Sequence, residues 1–139
     1  MPTVSVPDRI LVVDDEASTR EAVENHLVHR GYEVLTVAAG EEALGVLARQ
    51  KISCMVADAG LFGTPAGELL SRSLERDPNL AIVVISSHAS VEDAVHYLQY
   101  GAVDYLRKPL ELTHLEAALQ KALRRRAELM RERGMARLL

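Results

Sequence analysis

Five side chains suited to phosphoryl or metal chemistry each lie just after a short, mainly apolar run. They are Asp14, Asp15, Asp58, Ser86 and Lys108. Three carboxylates that are held close together repel one another unless a cation or a proton neutralises them. A hard divalent cation such as Mg²⁺ suits such oxygen ligands, and a carboxylate can itself attack phosphorus to give an aspartyl phosphate. These residue types indicate metal-dependent phosphoryl chemistry if the fold brings them together.

The apolar runs alternate with segments of helical periodicity along the chain. The predicted strands are Ile10–Val13, Glu33–Val37, Cys54–Ala57, Ala81–Ile85 and Val103–Leu106. The predicted helices run from about Ala17 to Arg30, Glu41 to Gln50, Ala66 to Arg76, Ser90 to Tyr100, and from Glu111 onward. Short continuous apolar runs are typical of strands that are covered on both faces. The alternation predicts the α/β fold class, with a doubly wound parallel sheet of five strands between five helices.

The order of the strands decides which strand ends meet. In the order 2-1-3-4-5, ligands bind beyond the carboxyl ends of strands one and three, where the order reverses. Asp14, Asp15 and Asp58 would then converge in one pocket, with the Ser86 hydroxyl and the Lys108 ammonium on its far side. A single aspartate at a strand end is more often a turn or cap residue, but five suitable residues at strand ends favour a site.

Composition and length exclude several classes of protein. The 139 residues fit one domain, and the single cysteine, Cys54, allows no internal disulfide and indicates a reducing, cytoplasmic location. No apolar run approaches the roughly 20 residues that span a bilayer, so no membrane association is expected. The absence of tryptophan and the aromatic content of 4% argue against a surface that stacks nucleic-acid bases, so direct nucleic-acid binding is not expected either.

The loops after the strands disfavour two nucleotide-binding classes. No G-x-G-x-x-G motif follows the first strand, and the loop from Gly60 to Gly63 has neither the lysine nor the spacing of a P-loop. A metal-dependent phosphohydrolase on a similar sheet is the alternative to a phospho-accepting switch. Such hydrolases usually have an acid/base aspartate two residues after the nucleophile, where this chain has Gly60.

The residues at these strand ends resemble those of a known family. Ile10–Glu16, Asp58, Ser86 and Gly101–Pro109 resemble the receiver (CheY-like) domain of two-component response regulators, over about residues 8–123. The resemblance implies a flavodoxin-like fold and a switch that a partner sensor histidine kinase phosphorylates on Asp58. It further implies control of an output domain or effector, and no enzyme activity beyond the domain's own Mg²⁺-dependent phosphorylation and dephosphorylation.

The resemblance also implies a set of metal ligands. Asp15 would bind Mg²⁺ or Mn²⁺ directly, and Asp14 would act mainly through metal-bound water. Asp58 and the backbone carbonyl of Gly60 would complete the protein ligands. The following loop departs from the family pattern, since Leu61-Phe62 replace Met-Pro and the next loop glycine, Gly67, lies one residue further on than usual.

The remaining implied roles concern the phosphoryl group and the switch. Ser86 and Lys108 would contact the phosphoryl group, and the bond from Lys108 to Pro109 is expected to be cis. Tyr105 would change rotamer together with Ser86 on phosphorylation. The residues that would flank the phosphoryl group and tune its hydrolysis are Gly60, Ser87 and His88.

The C-terminal end of the chain differs from the rest in charge. Residues 1–120 carry 9 basic and 18 acidic residues, a sum of −9, whereas residues 121–139 carry 7 and 2, a sum of +5. We expect a receiver domain over residues 1–123 and a linker or dimerisation helix over residues 124–139. Leu129, Met130 and Leu138 would be exposed there, since nothing on the domain would lie opposite them, and they favour a homodimer or a downstream partner helix.

Overall fold

The computed structural model describes residues 7–62, 68–88 and 90–138. Within these ranges, five strands alternate with five helices. The strands are β1 (Arg9–Val13), β2 (Glu33–Val37), β3 (Cys54–Asp58), β4 (Ala81–Ser86) and β5 (Asp104–Arg107). The helices are α1 (Ala17–His29), α2 (Gly40–Arg49), α3 (Glu68–Arg76), α4 (Val91–Gln99) and α5 (Leu112–Leu138). A single turn of 3-10 helix, Ala59–Phe62, follows β3.

The five strands form one parallel sheet in the order β2-β1-β3-β4-β5. The predicted fold class and strand order are therefore confirmed, and most predicted bounds agree to within one or two residues. The path of the loop that contains Gly63 and Gly67, and the predicted start of the third helix at Ala66, lie outside the described residues.

Both faces of the sheet are buried. On one face, residues such as Leu11, Met55 and Ile82 pack under α2, α3 and α4. On the other, residues such as Val12 and Cys54 pack under α1 and α5. This double coverage explains why the strands read as continuous apolar runs, and it leaves the polar strand ends as the places where chemistry can occur.

Capping residues fix where α4 begins and ends. The hydroxyl of Ser90 accepts a hydrogen bond of 3.1 Å from the backbone N–H of Asp93, which is the expected N-cap interaction. Gly101, with φ of +111°, turns the chain into β5. The positive φ favours glycine at this position, and a Cβ there would lie 2.8 Å from the end of the Leu74 side chain, which would have to shift.

The C-terminal part of α5 packs against the domain further than the sequence suggested. Arg126 is 7% exposed, and its Nη1 donates to Asp77 Oδ2 at 3.2 Å and to the carbonyl of Asn79 at 2.9 Å. Leu129 is half-buried and lines a groove of the domain, whereas Met130 is 43% exposed as expected. The expectation that nothing on the domain lies opposite this segment is wrong, because the loop between α3 and β4 reaches it. The side chain of Leu138 lies outside the described residues.

None of the helices in the described ranges combines the length and the apolar character needed to cross a membrane. The longest, α5, illustrates the reason, because it carries arginines along much of its length. Electrostatic as well as apolar contacts attach α5 to the rest of the domain.

Replacing Arg126 with alanine is expected to lower the free energy of unfolding by about 1–3 kcal/mol, because it removes a buried charged donor from Asp77 and from a backbone carbonyl. Urea unfolding of the two proteins measures the difference. The matched control is Arg125→Ala, one position earlier, where the side chain is 55% exposed; its effect should stay within about 0.5 kcal/mol. Equal effects for the two variants would contradict a specific role for Arg126.

Candidate functional site

An acidic cluster lies at the carboxyl ends of β1 and β3. Carboxylate oxygens of Asp14, Asp15, Glu16 and Asp58 all lie within 4.8 Å of one another. The parallel register places Val13 beside Ala57, so the residues that follow them meet at the same edge of the sheet. The structure thus brings together the three predicted aspartates and adds Glu16. The only sequence signal for Glu16 is its position directly after the aspartate pair.

Lys108 joins the cluster from the loop after β5. Its Nζ lies 2.6 Å from Asp58 Oδ2, 2.8 Å from Asp14 Oδ2 and 2.7 Å from Glu16 Oε1. Burial by itself would lower the pKa of Lys108, but hydrogen bonds to the three carboxylates outweigh it and raise that pKa well above the usual range. Lys108 is therefore a firmly charged ammonium that bridges the cluster.

Asp58 ends β3 with both carboxylate oxygens in use. Every residue of β3 is buried, and Asp58 itself is 7% exposed. Its Oδ1 accepts a hydrogen bond of 2.8 Å from the backbone N–H of Gly60, and its Oδ2 accepts one from Lys108. The carboxylate is therefore fixed in orientation, with a narrow opening to solvent.

Asp14 is fully buried, whereas Asp15 is exposed. Asp14 Oδ1 accepts a hydrogen bond of 2.9 Å from the backbone N–H of Glu16. Burial raises the pKa of Asp14, although the hydrogen bonds from Lys108 and from the Glu16 backbone oppose the shift. Keeping Asp14 ionised in this buried position therefore lowers the stability of the folded state.

Replacing Asp14 with asparagine is expected to raise the free energy of unfolding at neutral pH in metal-free buffer, because a buried amide costs less to desolvate than a buried carboxylate. A carboxyl whose pKa is raised in the folded state binds more protons folded than unfolded, so its contribution to stability falls as the pH rises above about 4. Urea unfolding between pH 4 and 7 should show a flatter pH dependence for the variant. Asp15→Asn, at an exposed carboxylate, is the matched control. A variant less stable than the parent at pH 7 would contradict the prediction.

Ser86 ends β4 beside this cluster. It is 6% exposed, and its Oγ accepts a hydrogen bond of 3.1 Å from the backbone N–H of His88. The carbonyl of Ser86 accepts one of 2.8 Å from the backbone N–H of Lys108, which ties the two strand ends together. Ser87 and His88 are exposed. The peptide bond between Lys108 and Pro109 is cis, as expected.

The donor set fits a hard divalent cation. The cluster holds four carboxylates, three of which contact the one ammonium, so the ionised cluster keeps a formal excess of three negative charges. Oxygen ligands of this kind suit Mg²⁺, which is commonly held by one or two carboxylates with waters and phosphate oxygens. The exposed Asp15 and Glu16 are the carboxylates of the cluster open to a cation that arrives from solvent.

Comparisons with known proteins agree with this geometry. The family model for the response regulator receiver domain matches residues 10–120. The probable transcriptional regulator ycf27 of Pyropia yezoensis is 37% identical over 118 residues, which cover 85% of this chain and 48% of that protein. The response regulator protein FleR of Pseudomonas aeruginosa is 35% identical over 103 residues, covering 74% of this chain and 22% of that protein. The chain therefore spans about half, or less, of the length of these relatives.

Solved structures share the fold. NtrX from Brucella abortus, in complex with ADP, aligns with a TM-score of 0.83 at 31% identity, over 95% of this chain and 29% of that one. A response regulator from Burkholderia pseudomallei, with a phosphorylated aspartic acid, a calcium ion and citrate, aligns with a TM-score of 0.75 at 26% identity, over 93% and 74% of the two chains. With its acidic cluster, its strand order and the family match over most of its length, the chain belongs to the response regulator receiver domain family.

Proposed function

We propose that this chain is a phospho-accepting switch in which Asp58 takes a phosphoryl group from a phosphohistidine of a sensor histidine kinase, in a reaction that depends on Mg²⁺ or Mn²⁺. The observation that carries the proposal is the setting of Asp58. It is a fixed, nearly buried carboxylate, it lies among three other carboxylates, and Lys108 binds one of its oxygens at 2.6 Å.

The proposed step is the attack of a carboxylate oxygen of Asp58 on phosphorus. An O–P bond forms, the N–P bond to the donor imidazole breaks, and the imidazole leaves with the electron pair and takes up a proton. The Gly60 N–H and Lys108 hold the carboxylate in place for this attack. Lys108 and the Ser86 hydroxyl are then placed to hold oxygens of the transferred group. A cation held by Asp14, Asp15, Asp58 and the Gly60 carbonyl would neutralise the charge on the phosphoryl oxygens.

The lifetime of the phosphorylated state depends, in this proposal, on the residues beside the acceptor. Gly60 offers no side chain to shield the phosphorus, and Ser87 and His88 are exposed at the edge of the site. Ser86 would turn from the His88 N–H toward the phosphoryl group, and Tyr105 would change rotamer with it. These two movements would transmit phosphorylation to the surface.

A groove beside the acceptor supports a kinase partner. It has a volume of about 460 Å³ and lies between the start of α1 and the loop from Lys108 to Leu112. Its walls include the apolar Ala22 and Leu110 and the polar Thr19, with Lys108 and Glu16 at the end near the acidic cluster. A helix that carries a phosphohistidine could lie along this groove with its phosphoryl group directed at Asp58.

The experiment that tests the function is incubation of the chain with acetyl phosphate and Mg²⁺. We expect intact-mass measurement to show the addition of one phosphoryl group, and chelation with EDTA to prevent it. A metal-dependent phosphohydrolase would instead release phosphate continuously without accumulating an adduct. Sustained release of phosphate with no detectable adduct on the protein would overturn the proposed switch.

We also propose that residues 124–139 form a linker or dimerisation helix which relays the switch to an output domain or effector. The support is that α5 continues as one helix to Leu138 and leaves Met130 exposed. Sedimentation should show a concentration-dependent dimer for the 139-residue chain and a monomer for a version that ends at Arg126 and keeps its contact with Asp77. Two monomers at high concentration would contradict the homodimer.

A further inference from the structure

One ring contact joins the proposed switch residue to α4. The ring of Tyr105, on β5, stacks on the ring of Tyr97, on α4, with centroids 5.5 Å apart and an interplanar angle of 16°. This geometry lies within the range in which aromatic pairs attract each other beyond the burial of their area. Two further ring contacts, from His96 to Tyr97 and to Tyr100, join residues of α4 and its C-cap.

Tyr97 is a fixed part of the core. It is 4% exposed and packs in the apolar cluster between the sheet and α2–α4. Burial is the main cause that raises the pKa of Tyr97 to about 12, and the neighbouring Tyr105, Asp93 and Asp58 add to the shift. The ring that Tyr105 stacks on is therefore packed within the core.

Tyr105 pairs with Val84 in the sheet, and polar contacts do little to hold its side chain in place. Its hydroxyl is buried, and in the part of the chain that the structure describes it has no hydrogen-bond partner. A buried hydroxyl without a partner disfavours the orientation that buries it. The stack on Tyr97 and the packing of the ring act in the opposite direction and favour the buried orientation of Tyr105.

We propose that Tyr97 is a positioning residue for the switch: its ring holds Tyr105 in the buried orientation and so sets the balance between the two orientations that phosphorylation exchanges. The proposal rests on the proposed function of Tyr105 and adds to it the residue that tunes it. The ring contact of Tyr97 across the domain is with Tyr105, so we expect its effect on phosphorylation to pass through Tyr105.

The chain offers a matched set of variants to test this inference. Tyr97→Leu removes the aromatic face but keeps an apolar side chain, and Tyr97→Phe keeps the face and removes the hydroxyl. Tyr100→Leu removes an exposed ring from the residue directly after the same helix and serves as the control. Labelling with 3-fluorotyrosine gives one ¹⁹F resonance for each of the four tyrosines, which single Tyr→Phe variants assign.

The first readout is the exposure of Tyr105 itself, from the change in its ¹⁹F shift between H₂O and D₂O. We expect Tyr97→Leu to increase this exposure clearly, and Tyr97→Phe and Tyr100→Leu to leave it at the parent value. Unchanged exposure of Tyr105 in a folded Tyr97→Leu protein would overturn the proposal, and so would an equal increase in Tyr100→Leu. If Tyr97→Leu fails to fold, Tyr97→Val and Tyr97→Met carry the same test.

The second readout is the affinity for beryllofluoride with Mg²⁺, a stable stand-in for the acyl phosphate. Since coupling between two sites is reciprocal, a shift in the Tyr105 orientation must change this affinity. We expect a change of about three- to tenfold in Tyr97→Leu, the range that the loss of one aromatic pair gives. A tighter affinity assigns the buried orientation to the resting state, and a weaker one assigns it to the activated state. No change in affinity would overturn the inference.

The two readouts separate this inference from the proposed function. If neither the parent nor any variant binds beryllofluoride or accepts a phosphoryl group, the proposed function fails, while the exposure of Tyr105 still reports on the stack. If the parent binds and Tyr97→Leu behaves like Tyr100→Leu in both readouts, the function stands and the role of Tyr97 fails.

Discussion

Replacing Asp58 with asparagine is expected to abolish acyl-phosphate formation from acetyl phosphate, because the amide that replaces the carboxylate is not a nucleophile at neutral pH. The variant keeps the shape of the side chain, and its amide oxygen can still accept the hydrogen bond from the Gly60 N–H. Lys108 keeps its contacts with Asp14 and Glu16, so the fold should persist. Intact-mass measurement after incubation with Mg²⁺ and the phosphodonor checks the result.

The control for this experiment is Asp93→Asn, which removes an exposed carboxylate in the first turn of α4. This variant should reach the parent's level of phosphorylation. If Asp58→Asn still gains one phosphoryl group at the parent's rate, Asp58 is not the acceptor. A double variant with Asp15→Asn would then test Asp15, an exposed carboxylate of the same cluster.

The strand ends could be predicted from the sequence because their positions follow from local patterns. Each buried strand is a short apolar run that stops at a polar residue, and a parallel sheet brings the carboxyl ends of its strands to one edge. Asp14, Asp58 and Ser86 could therefore be placed before any side-chain contact was known. The contact of Lys108 with the cluster also followed, since its strand lies in the same sheet.

The residues that the sequence did not reveal depend on contacts between distant elements. In the sequence, Glu16 looks like an ordinary loop residue. Its side chain accepts a hydrogen bond from Lys108, which lies 92 residues further on. Arg126 looks like one arginine in a basic run until Asp77 meets it across the domain. Tyr97 follows the spacing of a core residue on α4, and only the register of β5 brings Tyr105 against it. Predicting such contacts requires the packing angles of the helices on the sheet, and the periodicity of the sequence does not give these angles.

The electrostatics of the site favour function over stability. Asp14 is fully buried and its pKa is raised by that burial, yet the cluster needs its charge to attract a cation. Lys108 offsets part of the repulsion, and a bound cation would offset more. We infer that two cations can neutralise the charge of the cluster, namely the Lys108 ammonium and a bound metal ion.

Replacing Lys108 with methionine tests this balance and is expected to have the largest effect on stability. Its side chain is 8% exposed and contacts three carboxylates, two of which are buried. Breaking a buried pair by removing one partner leaves an uncompensated charge and lowers the free energy of unfolding by about 3–5 kcal/mol. Urea unfolding in EDTA at pH 7 measures this loss.

The pH and metal dependence of the Lys108→Met variant identify the cause of the loss. The pKa of Lys108 is raised in the folded protein, so the contribution of Lys108 to stability is complete at pH 7. This contribution is lost only as the pH rises above the pKa of lysine in the unfolded chain, about 10.4. On the acid side, the difference in the free energy of unfolding between variant and parent should narrow below about pH 4, where the carboxylates take up protons.

Added Mg²⁺ should stabilise the variant more than the parent, because ligand binding to the folded state restores the missing charge. The control Lys121→Met removes a lysine that is 58% exposed and should change stability by less than about 0.5 kcal/mol at any of these pH values. A loss that is independent of pH and unaffected by Mg²⁺ would instead point to packing of the lysine stem and would contradict an electrostatic role for Lys108.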